Sequence, residues 1–573
     1  MPDRRRRPGA VEPPTVADNC VVRHLTHPSV RHDGCQGGAD ADRSGVRVAD
    51  TVQQLLNERA GDDSVAVKYG QRRWSWREHL AEAAATAAAL LALADTDRPV
   101  HVGALLGNDP GMLTQMAAAG LGGYVLCGIN TTRRGAALLD DIRRADCQIL
   151  VTDAEHRGLL EGLDLSGLTV VDLTDERWAA SVRTAPELVA HRVPGPMDTF
   201  MMIFTSGTSG DPKAVQISHF MVLVAGQRLV EQFAVTAADT CYLAMPLFHS
   251  NALVGGWAVA AVSGAAMAPA TFSASRFLAD IRGYGATYMN YVGKPLTYIL
   301  ATPERPDDAD NPLRVAFGNE AGDRAIAEFG RRFDTLVWDA FGSTENAVII
   351  TREPGTPLGS IGKGFAGVAI YDSATVTECA VAEFAADGSL RNPDEAIGEL
   401  VNTAGTGFFT GYYNDDRATE HRTRAGMYWS GDLAYRDADG WIYLAGRTTD
   451  WMRVDGENLA AAPIERILSR CPQIGQVAVY AVPDEAVGDQ VMAAIVPAEV
   501  SPALSPQTLE QFLADQPDLS PKAWPRYVRV TAALPATATH KVLKRQLVTE
   551  GISAGDGQLW VRQERGTRYA AMT

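Results

Sequence analysis

Between residues 74 and 173, segments with a helical apolar period alternate with short apolar runs of strand length. WSWREHLAEAAATAAALLAL (74–93) reads as a long amphipathic helix and VHVGALLG (100–107) as a buried strand. GMLTQMAAAGLGG (111–123) is a second helix, YVLCGIN (124–130) a strand, and CQILVTD (147–153) and LTVVDL (168–173) are further strands. This alternation predicts α/β layers built on parallel sheets. Near the C-terminus APIERILSRCP (462–472) is helical, VAVYAVP (477–483) and VMAAIVP (491–497) are strands, and SPQTLEQFLAD (505–515) is a capped helix. A polar loop, RNPDEAI (391–397), marks one change of composition, and a second break falls at Gly446–Asp450. The expected organisation is a large N-terminal domain of layered sheets and helices over 48–446 and a small mobile α+β domain over 447–573. Residues 1–47 mix Arg, Asp, Pro, Gly and His without an apolar period and read as a disordered tail.

Composition narrows the function classes. With 46% hydrophobic and 21% charged residues, the chain is neither collagen-like nor a coiled coil. A net charge of −17 argues against a partner as anionic as nucleic acid or a lipid surface, though not against an anionic substrate in a local pocket. The seven cysteines contain no Cys-x-x-Cys pair, which fits a reducing cytoplasm without disulfides or structural zinc. From Cys241 to Ser275 no residue carries a formal charge other than a protonated His249. Pro246, His249, Asn251 and Pro269 interrupt that run, so it reads as a buried helix followed by a core strand, not a transmembrane segment. Its neutrality also suggests a water-poor tunnel.

Residues 201–220, MMIFTSGTSGDPKAVQISHF, hold the densest chemistry. An apolar strand ends at Phe204. Thr205, Ser206, Gly207, Thr208, Ser209 and Gly210 then form a hydroxyl- and glycine-rich loop, and Lys213 follows. Glycines let backbone N–H groups turn toward an anion, hydroxyls add donors and the lysine adds charge. This is a phosphate cradle by composition, without the spacing of a Walker A loop. A plain surface turn is the competing reading.

The string resembles the signature of the adenylate-forming superfamily, which includes acyl-CoA synthetases, amino-acid adenylation domains and luciferases. Six further segments resemble that family's elements in order: MPLFHSNAL (245–253), AFGNEAGD (316–323), DAFGSTENA (339–347), GELVNTAGTGFFTGYYNDDRATE (398–420), YWSGDLAYRDADGWIYLAGRTTD (428–450) and LPATATHKVLKRQL (534–547). GNEAG, RTTDWMRVDGEN and THKVLKRQL are most similar to the branch of very-long-chain acyl-CoA synthetases and fatty-acid-transport proteins, some of whose bacterial relatives take steroid carboxylates.

The resemblance implies an ATP-dependent acid:CoA ligase. A carboxylate attacks the α-phosphorus of ATP to give acyl-AMP and pyrophosphate, and the thiol of coenzyme A then displaces AMP. It also implies roles. The 205–213 loop would hold the β- and γ-phosphates. Gly318 and Asn319 would lie at an adenine-contacting strand end, Phe341 beside Gly342 would stack on adenine, and Thr344 would donate to the α-phosphate. Glu345 would hold Mg²⁺, and His249 would lie beside the acyl and pantetheine channels. Asp432 would accept the ribose hydroxyls, and Arg447 would reach the ribose or phosphate. Lys541, one of only seven lysines, would bridge carboxylate and α-phosphate. Gly456 would line the pantetheine tunnel after rotation of the small domain, with the hinge at Thr449 or Asp450. Lys544 is read as a surface charge.

The expected partners are a small-molecule carboxylic acid, ATP and CoA, without nucleic acid. Cytoplasmic location with peripheral membrane contact is compatible with this. A carrier-loading acyl-AMP ligase and a membrane-associated fatty-acid transport or binding protein are the alternatives. Segments 223–260 and 285–300 would supply pocket walls; Tyr288, Tyr291 and Tyr298 either line that pocket or, as the favoured reading, form a tyrosine-rich core helix.

Overall fold

The computed structural model describes residues 49–572 apart from 206–211, 387–389, 448–450, 455–456, 485–487, 500, 517–518, 520, 537–541 and 563–565. The proposed tail at 1–47 and the hinge positions Thr449 and Asp450 therefore lie outside the described residues.

Two largely parallel sheets carry the first part of the chain. The six-stranded one runs in the order Thr169–Asp172, Ile149–Thr152, His101–Ala104, Val125–Gly128, Thr199–Thr205 and Lys213–Ser218. Its pairs are parallel except for the last two strands, which form an antiparallel hairpin. The nine-stranded sheet holds Tyr288–Val292 between Val315–Asn319 and Thr240–Leu243, with Leu336–Phe341 beyond Val315–Asn319. These four strands are parallel. Helices cover the sheets as the apolar period predicts. Helix Trp76–Leu91 opens on a capping box in which Ser75 and Glu78 satisfy each other's backbone N–H. Helix Pro110–Gly122 starts with proline in its first turn and ends at Gly123, whose φ of 68° only glycine adopts freely. One continuous core joins the helices to both sheets and includes Trp76, Met116, Phe200, Trp257 and Tyr288.

A five-stranded antiparallel sheet follows, ending with Tyr428–Arg436 and Ile442–Arg447. The next strand, Trp451–Val454, belongs to a separate seven-stranded sheet with Gly488–Pro497 at its centre. Sheet membership thus changes between Arg447 and Trp451. The polar stretch 391–397 holds only the helical turn Pro393–Ala396. It connects strands of the five-stranded sheet, because the strands on either side of it, Thr377–Glu378 and Gly398–Asn402, both pair with Val368–Asp372.

Three expectations need correction. Tyr288 and Tyr291 do not share a helix. They lie on strand Tyr288–Val292, both fully buried, and only Tyr298 is on helix Lys294–Leu300. Their three-residue spacing imitates a helical period, but a parallel strand covered on both faces needs no alternation. The neutral stretch 241–275 forms strand Thr240–Leu243, a helical run from Ser250 to Ser263 and strand Ala266–Pro269. Most of it is core packing and not tunnel wall: Leu253, Ala258, Val259 and Ala260 are fully buried. Among the described residues no helix is long and apolar enough to cross a membrane. Finally, Lys544 is not a free surface charge. Its Nζ lies 2.8 Å from Glu465 Oε1, the same oxygen that accepts the Val479 N–H, so it ties helix Lys544–Glu550 to helix Ala461–Leu468.

Candidate active site

The hairpin of strands Thr199–Thr205 and Lys213–Ser218 brings Thr205 opposite Lys213, at the mouth of the loop that joins them. Ser206, Gly207, Thr208, Ser209 and Gly210 lie outside the described residues. The free edge of the second strand is taken up by residues 411–413: Gln216 N–H donates to Gly411 O, and Tyr413 N–H donates to Ala214 O. Tyr412 is thereby laid over Lys213, with the ammonium 5.1 Å from its ring centre. Partial burial lowers the pKa of Lys213, with Asp415 and Glu345 opposing.

Tyr412 connects this cradle to the second sheet. Its hydroxyl donates to Glu345 Oε1 at 2.7 Å, and Arg422 stands against the same hydroxyl. Glu345 is 7% exposed, so its carboxylate is held in the interior by that donor with two cations nearby. It sits in the turn after strand Leu336–Phe341, where Asn346 takes a φ of 52° and donates its N–H to Ser343 O. Thr344, in the same turn, is 3.2 Å from the hydroxyl of Ser250. Phe341 closes the strand half-buried against the main core, and Gly342 is exposed after it.

His249 precedes the helical run that starts at Ser250, its ring 4.6 Å from that of Phe248. Desolvation pushes its pKa down to about 4, so the imidazole is neutral at physiological pH. Asn251, two residues on, joins two neighbouring strand ends. Its amide donates to Tyr291 O and to Asn319 Oδ1, at 3.0 and 2.8 Å, and its oxygen accepts from Asn290 at 2.7 Å. Gly318 must be glycine at this junction, because a Cβ there would stand 2.3 Å from Tyr291 O.

Side-chain contacts, together with the peptide bonds that join Thr344 to Glu345 and Ser250 to Asn251, therefore link Lys213, Tyr412, Glu345, Thr344, Ser250, Asn251 and Asn319. Asn319 ends its strand, Thr344 and Glu345 follow the carboxyl end of theirs, and Lys213 lies opposite Thr205 at the carboxyl end of Thr199–Thr205, which is the side of open α/β sheets where ligands gather. Asp432 is 6% exposed on strand Tyr428–Arg436, paired in register with Arg447. The Arg447 side chain, Gly456 and Lys541 fall outside the described part of the structure. Sequence reasoning missed Tyr412, Arg422, Ser250, Asn251 and Asn290. Tyr412 had a signal, since it lies inside a quoted segment, but its partner is 67 residues away.

Half-buried cations around a buried carboxylate, hydroxyls near strand ends and a glycine–hydroxyl loop suit a polyanion with an associated metal. Among known families, the model of the AMP-binding enzyme matches residues 56–413, and that of the AMP-binding enzyme C-terminal domain matches residues 463–541. Medium/long-chain-fatty-acid–CoA ligase FadD17 of Mycobacterium tuberculosis is 50% identical over 507 residues, covering 88% of this chain and 97% of its own. Steroid-22-oyl-CoA synthetase of Rhodococcus jostii is 43% identical over 509 residues, covering 87% of this chain and 90% of its own. Among solved structures, ATP-bound MatB from Rhodopseudomonas palustris superposes with a TM-score of 0.76 at 23% identity, over 87% of this chain and 98% of that one.

Proposed function

We propose that this chain, which belongs to the AMP-binding enzyme family, is an ATP-dependent acid:CoA ligase that activates a long-chain fatty or steroid side-chain carboxylate. The observation that carries the reading is the bonded path from the phosphate cradle through Tyr412 to Glu345 and Thr344. It gathers on one site the groups that an adenylation needs.

In the first half-reaction a carboxylate oxygen bonds to the α-phosphorus of ATP while the bond to pyrophosphate breaks. Two anions must approach, so catalysis rests on fixed cations and donors. Lys213 and the 205–210 loop hold the outer phosphates, Thr344 donates to the α-phosphate, and Lys541 bridges the two reacting groups. Asp432 accepts ribose hydroxyls and Phe341 stacks on the base, with Gly318, Asn319 and Gly342 bordering it and Arg447 reaching the ribose or phosphate. Glu345 fits Mg²⁺, because Tyr412 occupies one of its oxygens and a hard carboxylate donor shared with phosphates is the usual protein environment of that ion. When bound, Mg²⁺ would neutralise charge on the phosphates. In the second half-reaction the CoA sulfur bonds to the acyl carbon and AMP leaves. Neutral His249 borders that path, and Gly456 lines it after rotation of the domain that follows Arg447. The change of sheets between Arg447 and Trp451 supports a domain division just after Arg447, one residue beyond the expected 446/447. We place the reaction in the cytoplasm, with peripheral membrane contact compatible with an apolar acid.

The test is a CoA-ligation screen over linear acids from about C8 to about C24 and steroid carboxylates, read as AMP release. Burial of each CH₂ contributes about 0.8 kcal/mol, so kcat/KM should rise with acid length until the pocket is filled. Preference for acetate over every long acid, or AMP release without CoA consumption, counts against the proposal.

A further inference from the structure

Asp339 lies in strand Leu336–Phe341, two residues before the proposed base-stacking Phe341, with its Cα paired to Gly318. The residue is 6% exposed. One carboxylate oxygen, Oδ2, accepts two bonds from two different strand ends. The Tyr291 hydroxyl donates at 2.9 Å and the Ala321 N–H at 3.0 Å. Ala321 follows Glu320, which stands at a φ of 67° and so depends on its surroundings to hold that conformation. From the other side, Gly293 N–H donates to Asn319 O at 2.8 Å, and a Cβ on Gly293 would stand 2.0 Å from Glu320 O. The turn 319–322 is thus boxed between a glycine backbone and one buried carboxylate.

We infer that Asp339 is a positioning residue of the nucleotide site, whose ionised carboxylate holds the 319–322 turn in register with Phe341 and so makes affinity for the adenosine moiety depend on pH. This rests on the ligase reading, which puts the nucleotide at these strand ends. The geometry is specific to an acceptor: both partners donate, and protonation weakens the oxygen that receives them. The charged and titratable groups facing Asp339 are few. Tyr291 comes from strand Tyr288–Val292 and Glu320 from the turn itself. Arg352 comes from beyond strand Ile350–Thr351 and is paired at 2.7 Å with Asp323. Burial outweighs the two hydrogen bonds and Arg352, and the carboxyl is pushed up to about 7, where a modest change of pH alters its charge.

Adenosine is the probe, because its base and ribose stay neutral in this range and it carries no titrating phosphate. Its affinity for the full chain is measured by calorimetry at intervals from about pH 6 to about pH 8. Wild type should bind about fivefold more tightly at the upper end, as for strengthening of a hydrogen bond to a charged group. Asp339→Asn keeps an acceptor oxygen without a titration and should give a flat profile. Tyr291→Phe removes a donor that favours the ionised form and should move the inflection to higher pH. A wild-type profile identical to that of Asp339→Asn, or an inflection unmoved in Tyr291→Phe, overturns the inference and leaves the ligase reading standing. Absence of binding by both adenosine and ATP at every pH overturns the ligase reading and this one with it.

Discussion

Tyr412 shows how little of a candidate-site residue's environment need be near it in the chain. Its hydroxyl is the described hydrogen bond to Glu345, and its ring covers Lys213. Tyr412→Phe should leave that carboxylate buried without its donor while preserving the ring over the lysine. The expected result is about a tenfold fall in ATP–pyrophosphate exchange for about 1–2 kcal/mol of stability, checked by exchange assay and urea denaturation. A second outcome concerns protons. Burial pushes His79, His219 and His249 each down to about 4. Unfolded histidine titrates near 6.5, so between about 6.5 and about 4 the unfolded chain binds more protons and folded stability falls as pH is lowered. A melting series across that window should show the fall, with a shallower slope in His79→Gln. Lys213 is legible from residue type and spacing, because a phosphate cradle needs its glycines, hydroxyls and cation in one local string, whereas Thr344 and Glu345 are legible only through the family resemblance. Tyr412, Arg422 and Asn251 are not, because each acts through a partner that only folding brings near.

At the scale of elements, periodicity serves the half-exposed helices and fails for the buried strands. Helix Trp76–Leu91 falls within the segment 74–93, with Ser75 in place as its cap. Strand Tyr288–Val292 is covered on both faces and carries Tyr288 and Tyr291 at a spacing that suits a helix equally well. Pairing decides the matter, since Tyr291 lies in register with Gly318 of the next strand. Gly318→Ala should test that contact. Its Cβ would meet the Tyr291 carbonyl and not a flexible side chain, so backbone must shift. A loss of about 1–3 kcal/mol in chemical denaturation is expected, with a raised KM for ATP. An unchanged denaturation midpoint would show that the two strands have more room than their register implies.

For the whole molecule, the two half-reactions should be separable by mutation. Lys541 belongs to the segment matched to the family's C-terminal domain. On the proposed mechanism its charge serves only the approach of two anions. Lys541→Ala should lower acyl-AMP formation by on the order of a hundredfold or more, while thioester formation from supplied acyl-AMP stays near wild type. Equal damage to both halves, measured as pyrophosphate and AMP release, would sink that division of labour. The helix that carries Arg466, Ala461–Leu468, meets the preceding sheet through polar ties made by that arginine. Arg466 donates to Gly359 O at 3.0 Å and Leu444 O at 3.3 Å, and to the Tyr435 hydroxyl at 3.2 Å. Only three residues separate the last strand of that sheet from the first strand of the next. So short a tether keeps the two bodies at a mutual effective concentration of millimolar order or above. Contacts far too weak to join separate proteins then suffice to dock them. On the proposed rotation of the small domain, contacts such as those of Arg466 can be tuned for the rate of release instead of for affinity.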